Sequence, residues 1–148
     1  MEILLVIDIQ KKYMGFYKED LVDIVNTKIG EAQNKGVPVI YVRNVGILGD
    51  SEKYTFCENL KMVSDKVFVK KVPSAFSNES FSNSLKDMGV DVINVVGVDG
   101  RCCVYKTVME AVKNGYHVRL HLDAIGARSD KFYSKELEIM KANNVEFI

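Results

Sequence analysis

The chain predicts an α/β fold: a single doubly wound domain over residues 1–148, with a parallel sheet covered by helices on both faces. Two observations carry that reading. Short apolar runs of strand character alternate along the chain with segments whose apolar residues recur at helical spacing, and strict alternation implies right-handed crossovers between parallel strands. A chain of 148 residues with 47% hydrophobic residues also supports one ordinary domain with a proper core.

The elements follow in order. Ile3-Leu4-Leu5-Val6-Ile7 reads as a buried strand over 3–8, and the spacing Leu21/Val25/Ile29/Ala32 predicts a helix over about 20–35, with Asp20 as an N-cap signal and Gly36 at its end. A strand at 37–43 precedes a polar stretch, 46–65, that carries no clear element. A strand at 66–70 leads to a helix at about 78–88, marked by Phe81/Leu85/Met88. The strand at 91–97 is followed by a helix at about 102–114, marked by Val104/Val108/Ala111 and closed by Gly115. A strand at 117–122, a helix at about 131–142 (Tyr133/Leu137/Met140, with Ser129-Asp130 at its start) and a short strand at 145–148 complete the chain. No internal repeat or interdomain linker interrupts the pattern.

Composition narrows the function. Lys plus Arg total 20 and Asp plus Glu total 20, so nothing favours nucleic acid or an anionic membrane as partner, and a small neutral molecule fits better. The longest apolar runs are far too short to span a bilayer, and Met1-Glu2 opens a strand without a basic leader, so a cytoplasmic location is expected. Three cysteines, Cys57, Cys102 and Cys103, make no disulfide framework and read as free thiols. No Gly-x-Gly-x-x-Gly follows the first strand, which argues against a dinucleotide cofactor. His117 and His121 share a face of one strand, but no further ligands lie near them in sequence, so no metal is expected.

Chemistry-bearing residues gather at strand ends. Asp8 follows the first strand, either capping a turn or serving catalysis. Lys70 ends the third, with adjacent Lys71 as the alternative. Cys103 lies just after Gly97-Val98-Asp99-Gly100-Arg101-Cys102, at the start of a helix, where free amides and the helix dipole favour a thiolate. In open α/β sheets, ligands bind at this carboxyl edge.

These residues resemble the motifs of one family. Asp8-Ile9-Gln10 with Tyr13 is similar to an Asp-x-Gln-x-x-Phe opening, and Lys70-x-x-x-Ser74-Ala75-Phe76 to a Lys-x-x-x-Ser-Ala-Phe segment. Gly97 with Cys103-Val104-x-x-Thr107-x-x-Glu110-Ala111 resembles a Gly-x-x-Thr-Asp-x-Cys-Val-x-x-Thr-Ala-x-Asp-Ala block. The family is that of the isochorismatase-like cysteine hydrolases, which include nicotinamidases, N-carbamoylsarcosine amidases and ureidoacrylate amidases.

The resemblance implies the sheet order 3-2-1-4-5-6 and a homo-oligomer. It implies Cys103 as nucleophile, Asp8 as proton shuttle and Lys70 as the cation beside both. It also implies an oxyanion hole from the backbone N–H groups of Cys103 and Asp99, with a cis peptide at Val98-Asp99. Gln10, Tyr13, Phe76 and Tyr105 are the expected substrate contacts, although Gln10 can instead orient Asp8 and the aromatics can instead pack the core; Phe16 and Tyr17 are further candidates for the pocket wall. The implied reaction is metal-independent hydrolysis of a small amide, ureide or carbamoyl C–N bond through a thioester, releasing ammonia or an amine. Two departures stand out: Tyr41-Val42-Arg43-Asn44-Val45 replaces the nicotinamidases' metal-binding segment, and Gly100-Arg101 replaces Thr-Asp. The second keeps open a binding or regulatory module on the same fold.

Overall fold

Strand β1 (Glu2–Ile7) occupies the middle of the sheet, because its side chains are apolar toward both faces. Ile3, Leu5 and Ile7 enter one core cluster while Leu4 and Val6 enter the other, as the period of two along a strand requires. Each large aliphatic side chain buried in this way contributes about 1.5–3 kcal/mol. The computed structural model describes residues 1–148. On one side of β1 lie β2 (Val39–Asn44) and then β3 (Val67–Lys70). On the other lie β4 (Val92–Val98), β5 (His117–Gly126) and β6 (Glu146–Phe147). All neighbours pair in parallel, and the order is β3-β2-β1-β4-β5-β6, as expected.

Helix α1 (Leu21–Asn34) covers one face through Leu21, Val25, Ile29 and Ala32. Helices α2 (Glu79–Met88), α3 (Cys103–Lys113) and α4 (Asp130–Ala142) cover the other through Phe81, Leu85, Val104, Val108, Tyr133 and Met140. Gly36 and Gly115 take positive φ just beyond α1 and α3.

Four local expectations are corrected. Strand β5 runs to Gly126 rather than ending at 122, because its register with β4 shifts between Val95 and Gly97. Leu122 and Asp123 stand exposed in that irregularity and break the alternation, after which Ile125 and Gly126 return to pair with Gly97 and Val98. Asp20 and Ser129 precede their helices without a side-chain cap bond, whereas Asn78 caps α2 by accepting from the Phe81 N–H at 3.2 Å. β1 stops at Ile7, since Asp8 turns out of the strand at φ 53. β6 is likewise confined to Glu146–Phe147. The stretch 46–65 holds a short 3₁₀ turn at Glu52–Tyr54 and isolated bridges, Gly46 to Gly49 and Phe56 to Gln10, but no helix or strand. No helix is long and apolar enough to cross a membrane.

Candidate active site

Gly97 sets the site's foundation. Its φ is 124, and a Cβ there would lie 2.1 Å from the Ile7 carbonyl oxygen, so only glycine lets β4 press this closely against the end of β1. Asp8 emerges from that end in the left-handed region, which aspartate tolerates better than most residues. The neighbouring strands contribute Asn44 from the end of β2 and Lys70 from the end of β3. Beyond β4 the chain passes through a cis peptide at Val98-Asp99 and enters α3 at Cys103.

The three residues far apart in sequence meet. Lys70 Nζ donates to Asp8 Oδ2 at 2.9 Å, and both side chains are buried. Asp8 Oδ1 has no hydrogen-bond partner of good geometry. The buried Cys103 thiol sits beside this carboxylate, close enough for each to shift the other's protonation. Burial pushes the Asp8 carboxyl above its ordinary value, opposed by the attraction of Lys70. Burial also pushes the Cys103 thiol up, to about 12; the Asp8 charge reinforces the rise and Lys70 opposes it. This corrects the expectation of a ready thiolate: desolvation and the adjacent anion hold the thiol up.

The same residues that resemble family motifs act as staples. Thr107 Oγ1, on α3, accepts from the Ala75 N–H at 3.1 Å, and Ser74 Oγ donates to Glu110 Oε2 at 2.5 Å. These bonds tie the loop after Lys70 to the helix that begins with Cys103. Gln10 forms a second clamp: Nε2 donates to the Asn44 and Tyr54 carbonyls, both at 2.8 Å, and Oε1 accepts from the Asn44 N–H at 2.7 Å. Asn44 Nδ2 in turn lies 3.9 Å from Cys103 Sγ. The backbone N–H groups of Asp99 and Cys103 donate to no backbone carbonyl. The Asp99 carboxylate points elsewhere, accepting from the Arg101 N–H at 2.8 Å, the Arg128 N–H at 2.9 Å and the Tyr17 hydroxyl at 3.0 Å.

A cavity of about 480 Å³ opens over Cys103, and Asp8, Val98, Asp99, Tyr13 and Tyr17 reach its wall. Of the four expected substrate contacts, Tyr13 alone lines it. Gln10 is fully buried, its amide saturated by backbone groups. Phe76 is core, packed edge-on to Phe81 and stacked on Tyr116. Tyr105 packs against the same core. Phe16 is largely exposed, under the Arg128 guanidinium.

Asn44, Arg101, Cys102 and Arg128 also line the cavity but were not among the expected contacts. Asn44 was detectable in principle, as a polar residue at a strand's carboxyl end like Asp8 and Lys70. The histidines are separately engaged, His117 with Glu146 and His121 with Asn94. No three His, Cys, Asp or Glu side chains converge in a metal-binding group.

An isochorismatase domain model matches residues 2–148. The chain is 26% identical over 154 residues to nicotinamidase 3 of Arabidopsis thaliana, covering 90% of this chain and 77% of that protein. Among solved structures, the pyrazinamidase of Pyrococcus horikoshii in complex with zinc superimposes with a TM-score of 0.87 at 21% identity, covering 99% of this chain and 98% of that one. The N-carbamoylsarcosine amidase of Thermoplasma acidophilum gives 0.83 at 19% identity, covering 99% and 94%. At these identities the solved structures establish the fold alone.

Proposed function

The chain belongs to the isochorismatase family of hydrolases, and on that premise we propose that it hydrolyses a small amide, ureide or carbamoyl C–N bond through a thioester on Cys103. One observation carries the reading: the Cys103 thiol lies against a buried carboxylate, Asp8, that is itself paired with Lys70. The likeness to a nicotinamidase and to two amidase structures is in keeping with that chemistry.

The steps follow from the geometry. A thiol pushed up to about 12 is not a nucleophile at rest, but its acidity rises as sulfur bonds to the substrate's carbonyl carbon. Asp8 takes the proton during that attack, and Lys70 keeps the carboxylate available by opposing its protonation. The carbonyl oxygen, now carrying the negative charge, is received by the free N–H groups of Asp99 and Cys103. The tetrahedral adduct collapses as the C–N bond breaks, and Asp8 returns the proton to the departing amine. Water then attacks the thioester with Asp8 again as base, releasing the acid and restoring the thiol.

The donor set at the end of β2 fits no metal. Arg43 is ion-paired with Asp50, and Asn44 serves Gln10 and the thiol.

The test is ammonia release from a panel of amides and ureides, run beside the Cys103→Ala variant, with hydroxylamine added to trap the acyl-enzyme. Turnover that disappears in the variant and a trapped hydroxamate support the reading. Saturable ligand binding without turnover would instead identify a binding module.

A further inference from the structure

Two glycines meet behind the turn that carries the Asp99 N–H. The Gly100 N–H donates to the Gly126 carbonyl at 2.8 Å, tying the residue after Asp99 to the end of β5. Neither glycine takes a positive φ, so space rather than backbone conformation excludes a side chain at both positions. A Cβ on Gly100 would lie 2.6 Å from Tyr133 Cε1 and 2.9 Å from Tyr133 Cζ. One on Gly126 would lie 2.8 Å from Tyr17 Cδ1, Leu21 Cδ2 and Val98 Cγ1. Two tyrosines thus cover the two ends of one hydrogen bond.

The rest of the turn is held by polar contacts. Tyr17 donates to Asp99 Oδ2 at 3.0 Å, and the Asp99 carbonyl accepts from the Cys102 N–H at 3.1 Å and the Val104 N–H at 3.0 Å. Gly100 alone in the turn has no side chain, and the Tyr133 ring, from the first turn of α4, packs where one would stand. The Tyr133 hydroxyl is buried without a partner, and burial, reinforced by the Asp99 charge, holds the phenol above its usual range. The ring, not the hydroxyl, makes the contact. Gly100 also stands where the family motif has threonine, so the ring occupies volume that the motif gives to a side chain of the turn itself.

We propose that Tyr133 is a positioning residue: its ring, packed on Gly100, sets the direction of the Asp99 N–H toward the oxygen of the tetrahedral adduct. This deepens the hydrolase reading and rests on it. It also gives the Gly100 departure a physical reason other than lost catalysis.

A cycle of Gly100→Ala, Tyr133→Leu and the double variant tests it, since leucine lacks the Cε1 and Cζ atoms that a Cβ at position 100 would meet. Each single change is expected to lower kcat about tenfold, part of the roughly 100- to 1,000-fold that losing an oxyanion donor outright costs. KM should stay nearly unchanged, because the contact acts in the transition state. The double variant should lose much less than the product of the two single losses, and Tyr133→Phe, which keeps the ring, should recover the native kcat. Multiplicative losses, or a Tyr133→Phe as impaired as Tyr133→Leu, overturn the proposal and leave the hydrolase reading intact. Denaturant unfolding of the same four proteins reads the contact without turnover: non-additive losses are expected, and strict additivity overturns it.

Acetaldehyde labelled with carbon-13 at its carbonyl separates the two ideas. Cys103 sulfur bonds to that carbon, the carbonyl π bond breaks, and the thiol proton passes to the oxygen, which the Asp99 and Cys103 N–H groups receive. The hemithioacetal resonance absent from the Cys103→Ala protein identifies the adduct. Its affinity should fall about threefold to tenfold in Gly100→Ala, the scale of one hydrogen bond, and recover in the double variant. That pattern supports the positioning role even if the native chain hydrolyses no amide, in which case only the hydrolase reading falls. An adduct equally stable in native and Gly100→Ala proteins overturns the positioning role.

Discussion

Lys70 Nζ lies 2.9 Å from Asp8 Oδ2 in an ion pair whose side chains are 1% and 3% exposed. The pair joins the end of β3 to the end of β1 across the intervening β2. Taking both charges out of water is costly, so the arrangement stabilises the fold only while both partners remain. Lys70→Ala is therefore expected to destabilise the protein by roughly 3–5 kcal/mol, by leaving a buried, unpaired carboxylate. Asp8→Asn combined with Lys70→Met should cost less than the sum of the single changes. Denaturant unfolding of the four proteins in that cycle measures the coupling, and strict additivity would contradict it.

The staple between Thr107 and Ala75 makes a second prediction. Thr107 is 1% exposed and its hydroxyl accepts from a buried backbone N–H. Thr107→Val keeps the shape and removes the acceptor, which is expected to cost about 1–3 kcal/mol through the orphaned donor. Because the bond holds the Lys70 loop against the helix of Cys103, kcat should fall as well. Thermal or denaturant unfolding beside steady-state kinetics reads both effects.

Much of this was legible in the sequence, and the limits have physical causes. β1 and β4 declare themselves as strands because both faces are buried and their runs are almost wholly apolar, Glu2 at the start of β1 and Asn94 within β4 being the exceptions. Asp8, Lys70 and Cys103 were readable because each follows a strand, and parallel strands deliver their carboxyl ends to one edge. Gln10 was misjudged because its partners, Asn44 and Tyr54, lie 34 and 44 residues away, and no local pattern reports them. Phe76 follows the motif serine and alanine, yet a side chain near a site in sequence can still turn into the core, as this one does. Arg128 gave no signal at all, since an arginine in a turn looks like solvated surface until the cavity is seen. The thiol's protonation was misread because a helix start was visible in sequence, whereas the depth of burial, the largest influence on the thiol, was not.

The Gln10 clamp and the Asn44 side chain should separate in experiment. Gln10→Ala breaks three hydrogen bonds made by a fully buried side chain and is expected to lower stability, at about 0.5–1.5 kcal/mol for each bond lost. Asn44→Ala retains the backbone groups that Gln10 holds and should change stability little while lowering turnover, since Asn44 Nδ2 reaches toward Cys103 Sγ. Equal stability losses in the two variants would refute this division of labour.

Chelation should leave activity intact. Arg43 and Asn44 occupy the end of β2, where neither supplies a carboxylate or an imidazole, and His117 and His121 are engaged with different partners. Dialysis against EDTA followed by ammonia-release assays checks this. Loss of activity restored by a divalent ion would count decisively against it.

The sharpest prediction concerns the proton shared by Asp8 and Cys103. Asp8 must be ionised to accept it, and burial raises the Asp8 carboxyl above its ordinary value of 3.8. Activity should therefore fall as pH decreases through that raised value, placing the acid limb above the range of exposed carboxylates. No rise following an ordinary cysteine titration, near about 8.5, is expected, because the thiol is pushed up to about 12. Exposed Cys102 should accordingly react with maleimide before buried Cys103.

Asp8→Asn then makes opposite predictions for two readouts of one sulfur. Removing the carboxylate abolishes the proton acceptor, so turnover should drop by about 100-fold or more. It also removes one of the influences that hold the thiol up and leaves the attraction of Lys70 unopposed, so alkylation of Cys103 at neutral pH should accelerate. Turnover and alkylation falling together would show that Asp8 activates a resting thiolate, and the proton-transfer mechanism would have to be abandoned.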